Sequence, residues 1–194
     1  SEIPELPLPG AHNRMNARLA AAAARAIGVD EKCINKGLSA FRGLPHRLER
    51  VAEIDGRVFM NDSASTTPES TVAAIEACDA PVWLMAGGSD KGSDFHALAN
   101  MISTGVKGVA FYGQVGPTLF QLCEADQPSC QRANVETLQQ ALGWCWKQSQ
   151  RGDMIVLSPG CASGDQFNHY IHRGETFREI VLQMKSSSSQ TTLA

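Results

Sequence analysis

The sequence predicts an α/β fold: a mostly parallel sheet flanked by helices, preceded by two further helices. Three observations predict it. The apolar runs PVWLMA (81–86), GVAFY (108–112) and DMIVLS (153–158) lack polar alternation, as strands do when both faces of a parallel sheet are covered. Segments with helix start and stop signals alternate with these runs. The chain has 194 residues, 43% of them hydrophobic. That is enough for one ordinary domain plus a piece of another, burying roughly 70% of the unfolded surface without a staple.

The elements follow in order. Residues 1–10 carry three prolines and read as an extended linker. From His12 to Ile27 the chain is rich in Ala, Leu and Arg, which favour helix, and Gly28 punctuates its end. Asp30 reads as the N-cap of a second helix running to Phe41. Gly43, Leu44 and Pro45 read as a hinge. LERVAEI and RVFMND are expected strands. Thr67 caps, and Pro68 opens, a helix ending near Cys78. The strand at 81–86 ends in Gly87-Gly88. Helices over Phe95–Ser103 and Gly116–Glu124 flank the strand GVAFY. A short strand at Gln131–Ala133 precedes a helix from Val135 to Gln150, and DMIVLS follows. One or two helices span Asp165–Met184, with Gly174 as the expected break. The tail KSSSSQTTLA reads as disordered. The division is therefore residues 1–43 as the end of a domain whose beginning is missing, 44–185 as a complete α/β domain, and 186–194 as tail.

Composition narrows the function. Seventeen Lys and Arg oppose twenty Asp and Glu, for a net charge of −3. No block of five like charges occurs, so neither nucleic acid nor an anionic membrane is an expected partner. No apolar run approaches the roughly 18–20 residues of a membrane-spanning helix. The opening SEIPELPLPG lacks the features of a signal peptide, and a soluble protein is expected. None of the six cysteines pairs at C-x-x-C spacing, which fits free thiols in a reducing compartment. His169 and His172 lack a ligand-rich partner segment, and no metal site is expected.

Ligands of parallel sheets bind beyond the carboxyl ends of the strands. Four segments fall there: NDSASTTP (61–68), GGSDKG (87–92), YGQVG (112–116) and SPGCASGDQF (158–167). Their small residues let a ligand approach the backbone, helix starts favour anions, and Lys91 adds a full positive charge. A small carboxylate or phosphate fits this rim. GGSDKG lacks the spacing of a P-loop and of a dinucleotide fingerprint. Cys161 at a strand-to-helix turn, with His169 downstream, raises a rival Cys–His hydrolase. Asn13 and Asn16 share a face near a helix start, and asparagine suits a purine edge.

The segments LPGAHNRMN, GLPHRLE, NDSASTTPEST, GGSDKG and LSPGCASGDQF, in that order, resemble the Mur ligase family, and most closely its glutamate-adding members. The resemblance covers Leu8 to Met184. It implies a Rossmann-like amino-acid domain preceded by the last helices of an ATPase domain. The implied activity is ATP-dependent, Mg2+-assisted ligation of glutamate to UDP-N-acetylmuramoyl-L-alanine in cytoplasmic peptidoglycan precursor synthesis, by a monomer. Asn13, Asn16, His46, Arg47 and Asp62 would contact or frame the nucleotide. Thr66, Lys91, Ser163 and Tyr170 would hold the amino acid, with Lys91 as the catalytic cation pairing a carboxylate. The UDP-sugar domain and P-loop of the family lie outside these residues, so the segment alone is expected to be inactive. Two departures stand out: the resemblance implies Lys at position 64 and Phe at 170, where the chain has Ala64 and Tyr170. They favour L-glutamate over D-glutamate. The alternative is a free-standing, non-catalytic amino-acid-binding module of the same fold.

Overall fold

The computed structural model describes residues 3, 4, 6, 10–125 and 130–191. The chain divides into two compact units, Ser1–Leu44 and Pro45–Ala194. The expected linker over residues 1–10 and the last tail residues, 192–194, fall mainly or wholly outside the described residues.

The first unit holds α1 (Ala11–Ala26) and α2 (Glu31–Ala40). Asp30 caps α2, its carboxylate accepting from the Lys32 N–H at 2.8 Å, which satisfies one of the unpaired donors of the first turn. Arg25 pairs with Glu31 across the turn between the helices. Ala17, Ala21 and Ile34 are buried, whereas Met15, Leu19, Ile27 and Phe41 are exposed.

The second unit is a six-stranded sheet with helices on both faces. Its elements are β1 (Glu49–Ile54), β2 (Arg57–Asn61), α3 (Pro68–Glu76), β3 (Val82–Gly87), α4 (His96–Gly105), β4 (Gly108–Tyr112), α5 (Gly116–Ala125), β5 (Gln131–Asn134), α6 (Leu138–Gln148), β6 (Met154–Leu157) and α7 (Tyr170–Thr191). The strand order is β1-β2-β6-β3-β4-β5. All pairings are parallel except β1 with β2. That pair is a hairpin through Asp55-Gly56, both at positive φ, the turn geometry that matches strand twist. Along β4 the side chains alternate between two cores. Val109 and Phe111 join Leu98, Ile102 and Leu119 on one face. Ala110 and Tyr112 join Leu142, Cys145, Phe177 and Val181 on the other.

Three features, in two helices, depart from the sequence expectations. The sixth helix begins at Leu138 rather than Val135, because Thr137 and Gln140 form a reciprocal capping box that fixes the boundary. The last helix is a single α7 that runs through Gly174 without a break. That glycine serves a contact instead, since a Cβ there would lie 2.2 Å from His46 Nδ1. Residues 186–191, expected to be disordered, continue α7. The Ser186 and Ser187 hydroxyls donate back to the Gln183 carbonyl at 2.8 and 3.0 Å, a local bonding mode compatible with helix. No helix among the described residues is long and apolar enough to cross a membrane.

Candidate functional site

The carboxyl ends of β2, β3, β4 and β6 lie along one edge of the sheet, where ligands of parallel sheets bind. The buried polar residues Asn61, Asp62, Ser63, Ser65, Thr71, Ser158, Ser163 and Arg173 concentrate there. Backbone bonds lace the loops that leave these strands. The Gly160 N–H donates to Ser65 O at 3.0 Å, and the Ser89 N–H to Ala162 O at 2.9 Å. The Gly164 N–H donates to Ser89 Oγ at 3.2 Å. Two glycines permit this closeness: a Cβ on Gly87 would lie 2.0 Å from Tyr112 O, and one on Gly88 2.1 Å from Ala162 O.

These bonds place the loops carrying Thr66, Lys91 and Ser163 side by side. Lys91 is exposed at the tip of a turn in which Asp90 accepts from the Gly92 and Ser93 N–H groups at 2.8 and 3.2 Å. Ser163 is buried, Thr66 half-buried and Tyr170 exposed at the start of α7. The Tyr170 carbonyl accepts from the Ser63 hydroxyl at 2.8 Å, joining α7 to the loop that carries Thr66. A lysine on a loop that adjoins small hydroxylic residues suits a ligand bearing carboxylates.

The five residues assigned to the nucleotide divide between the units. Asn13 and Asn16 lie on α1, half-buried and exposed respectively. Arg47 is exposed, between His46 (φ 63°) and Leu48 (φ 42°). Two non-glycine residues in the left-handed region cost about 1 kcal/mol or more each and persist only where the surroundings impose them. Here the surroundings are explicit. His46 is buried, with Nδ1 3.0 Å from Asn61 Nδ2 and Nε2 3.4 Å from Glu175 Oε1. The Asn61 amide also donates to Gly174 O at 3.2 Å. In this arrangement His46 frames the loop and Arg47 is presented outward. The Asp62 carboxylate is turned inward, accepting from the Leu48 N–H at 3.1 Å and the Ser158 hydroxyl at 2.7 Å. Burial pushes the Asp62 carboxyl above its usual range, against the opposing pull of the hydroxyl and amide donors and of Arg47.

The Cys–His hydrolase does not survive. Cys161 is buried, and burial pushes its thiol up to about 12, whereas a nucleophilic thiol needs a lowered pKa. Among the described residues no group of three His, Cys, Asp or Glu converges as a metal site.

Sequence reasoning missed Asn61, Ser158 and Arg173. For Arg173 a signal existed. Arg173, Phe177 and Val181 recur every four residues and are all fully buried, so an arginine occupies the apolar stripe of α7, where a charge requires a reason.

Residues 46–161 match the family described as "Mur ligase, glutamate ligase domain". The chain is 38% identical over 181 residues to the UDP-N-acetylmuramoylalanine–D-glutamate ligase of Pelotomaculum thermopropionicum, covering 93% of this chain and 40% of that protein. It is 40% identical over 177 residues to the enzyme of the same name from Nitrosomonas europaea, covering 91% of this chain and 37% of that one. The chain thus spans about two fifths of the length of these curated relatives. The fold is shared with MurF of Acinetobacter baumannii, at a TM-score of 0.69 and 21% identity over 92% of this chain and 39% of that one. The strand-end loops, their spacing and these matches together show that the chain belongs to the Mur ligase family, through its glutamate ligase domain.

Proposed function

We propose that this chain is the amino-acid-binding portion of an ATP-dependent, cytoplasmic, monomeric ligase that joins glutamate to UDP-N-acetylmuramoyl-L-alanine for peptidoglycan synthesis. Residues 1–43 are, in this reading, the last helices of the ATPase domain. The carrying observation is the laced rim at the carboxyl edge, which sets Lys91 beside the loops of Thr66 and Ser163. Lys91 pairs a glutamate carboxylate, while the Thr66 and Ser163 hydroxyls and the Tyr170 ring orient the amine. Charge-assisted hydrogen bonds of this kind contribute about 1.5–3 kcal/mol each. The exposed apolar residues of α1 and α2 suit helices that belong to a larger domain.

The residues present fit one part of a nucleotide. Arg47, exposed and held between two strained residues, offers a fixed planar fork for phosphate. Asn13 and Asn16 offer amide groups to a base. Bound ATP would supply the phosphoryl group that converts the acceptor carboxylate into an acyl phosphate, from which the glutamate amine displaces phosphate as the amide forms. In this reading Mg2+ is held mainly by the nucleotide phosphates and by the part of the ATPase domain outside these residues.

The enantiomer is a separate matter. The curated relatives carry D-glutamate in their names. Two positions support L-glutamate in this reading: Ala64 stands where the resemblance implies a lysine, and Tyr170 adds a hydroxyl where it implies phenylalanine. Both change the polarity of the loops assigned to the amino acid.

The test offers ATP, Mg2+, UDP-N-acetylmuramoyl-L-alanine and either enantiomer to this segment and to a ligase that contains it. ADP release that needs both substrates, with L-glutamate preferred and only in the longer protein, is the expected result. Preference for D-glutamate overturns the enantiomer. Glutamate binding without ligation by the longer protein replaces the ligase with the non-catalytic module.

A further inference from the structure

Arg173 is the largest fully buried side chain, at 0% exposure. Its side chain donates to neutral oxygens on two different loops, and the buried Tyr112 hydroxyl also feels its charge. Nε donates to Ser63 Oγ at 3.0 Å and Nη2 to Ser63 O at 2.9 Å. Nη1 donates to Cys161 O at 3.1 Å and to Ala162 O at 3.3 Å. Among the described residues it makes no ion pair with a carboxylate. A guanidinium taken wholly out of water costs several kcal/mol unless its donors are satisfied in good geometry. A hydrophobic residue at this point of the apolar stripe would avoid that cost, so packing alone does not call for arginine here.

The geometry accounts for it. The planar fork has donors diverging from one rigid centre, and here they grip the loop leaving β2 on one side and the loop leaving β6 on the other. The Ser63 hydroxyl, which accepts from Nε, donates in turn to the Tyr170 carbonyl, closing a ring through the start of α7. Resting on the proposed function, the two gripped loops are those that carry Thr66 and Ser163. We propose that Arg173 is a positioning residue: without touching the amino acid, it holds the two substrate loops at a fixed separation so that their hydroxyls meet one ligand. Lysine cannot replace it fully, because a single ammonium centre cannot span both loops.

The experiment uses Arg173→Ala, Arg173→Lys and Ser63→Ala, with amide hydrogen exchange as the first readout. In Arg173→Ala, amides of 63–66 and 161–164 exchange at least about tenfold faster while β3 and β4 keep their protection. Arg173→Lys lies between wild type and Ala, and Ser63→Ala loosens the same two segments to a smaller degree. Should the alanine variant fail to fold, the lysine and Ser63 variants carry the comparison. Unchanged exchange in both loops with an intact sheet overturns the proposal. So does loosening spread evenly over the sheet, which marks a merely structural arginine.

Kinetics supply the second readout. In a ligating enzyme, KM for glutamate rises about tenfold in Arg173→Lys, while KM for ATP and kcat stay within about twofold. A fall in kcat at unchanged KM overturns the positioning role. A wild-type protein that does not ligate overturns the proposed function instead, and the exchange result still decides the role of Arg173.

Discussion

Two buried aspartates sit at opposite edges of the sheet and are treated in opposite ways. Asp153 lies at the amino end of β6, where Lys107 Nζ, Trp83 Nε1 and the Gln150 N–H donate to it at 2.9, 2.8 and 2.9 Å. Burial pushes this carboxyl up, but the Lys107, Gln150 and Trp83 bonds outweigh it and hold the group below the usual range. Asp62 follows β2 at the carboxyl edge, and its direct donors, the Ser65 and Ser158 hydroxyls and the Leu48 amide, are all neutral. There burial wins and the carboxyl lies above the usual range. The amino edge completes its charge pairs within the fold, as a purely structural edge does. The carboxyl edge leaves Asp62 undercompensated, keeps Arg173 without a carboxylate partner among the described residues and exposes Lys91 and Arg47. Perturbed and unpaired charges of this kind gather where ligands bind.

The contrast can be broken at several points. The largest effect is expected from Asp153→Ala, which strands the Trp83 and Gln150 donors and unpairs Lys107. A loss of about 3 kcal/mol in denaturant unfolding is expected, with no specific effect on glutamate binding. Gly174→Ala comes next. Its Cβ would strike the His46 ring, with Nδ1 at 2.2 Å and Cε1 at 2.9 Å. A loss of about 2 kcal/mol is expected, and under the proposed function displacement of the Arg47 loop weakens nucleotide affinity as well. The smallest effect is Asp62→Asn, within about 1 kcal/mol of wild type at neutral pH, since an amide can still accept from Leu48 and donate to Ser158 Oγ.

The pH dependence sharpens the same comparison, because the two groups have opposite sign. The folded carboxyl of Asp153 lies below its unfolded value. Its contribution is present above the ordinary carboxylate range and is lost as the pH falls through the folded value. The gap between wild type and Asp153→Asn in unfolding free energy therefore narrows on acidification. The folded carboxyl of Asp62 lies above its unfolded value. Its contribution is complete below the ordinary carboxylate range and is lost as the pH rises through the folded value. Asp62→Asn accordingly gains on wild type as the pH rises. Parallel behaviour of the two variants would erase the distinction between the edges.

Legibility followed locality. GVAFY was readable as a strand because its apolar run is continuous, and the helix after Thr67 because proline and a capping residue mark its start. The Asp55-Gly56 hairpin carried a turn signal in its dipeptide, so the antiparallel edge was available from local chemistry although only the two strands were read. Gly174 shows the reverse. As a lone glycine in a helix it reads as a break, yet its role is to admit His46, a residue far away in sequence.

The amino-acid sequence by itself determined the α/β class, the alternation of strands and helices, and the four loops at the carboxyl ends of the strands. Those properties follow from runs of neighbouring residues. Only the tertiary structure decided which polar groups of those loops face inward. Asp62 meets Ser158 across 96 residues, Ser63 meets Arg173 across 110, and Asn61 meets Gly174 across 113. A buried polar side chain is tolerated only with its partner in place. Where the partner lies a hundred residues away, no local pattern can announce it, and burial is settled when the sheet brings the two together.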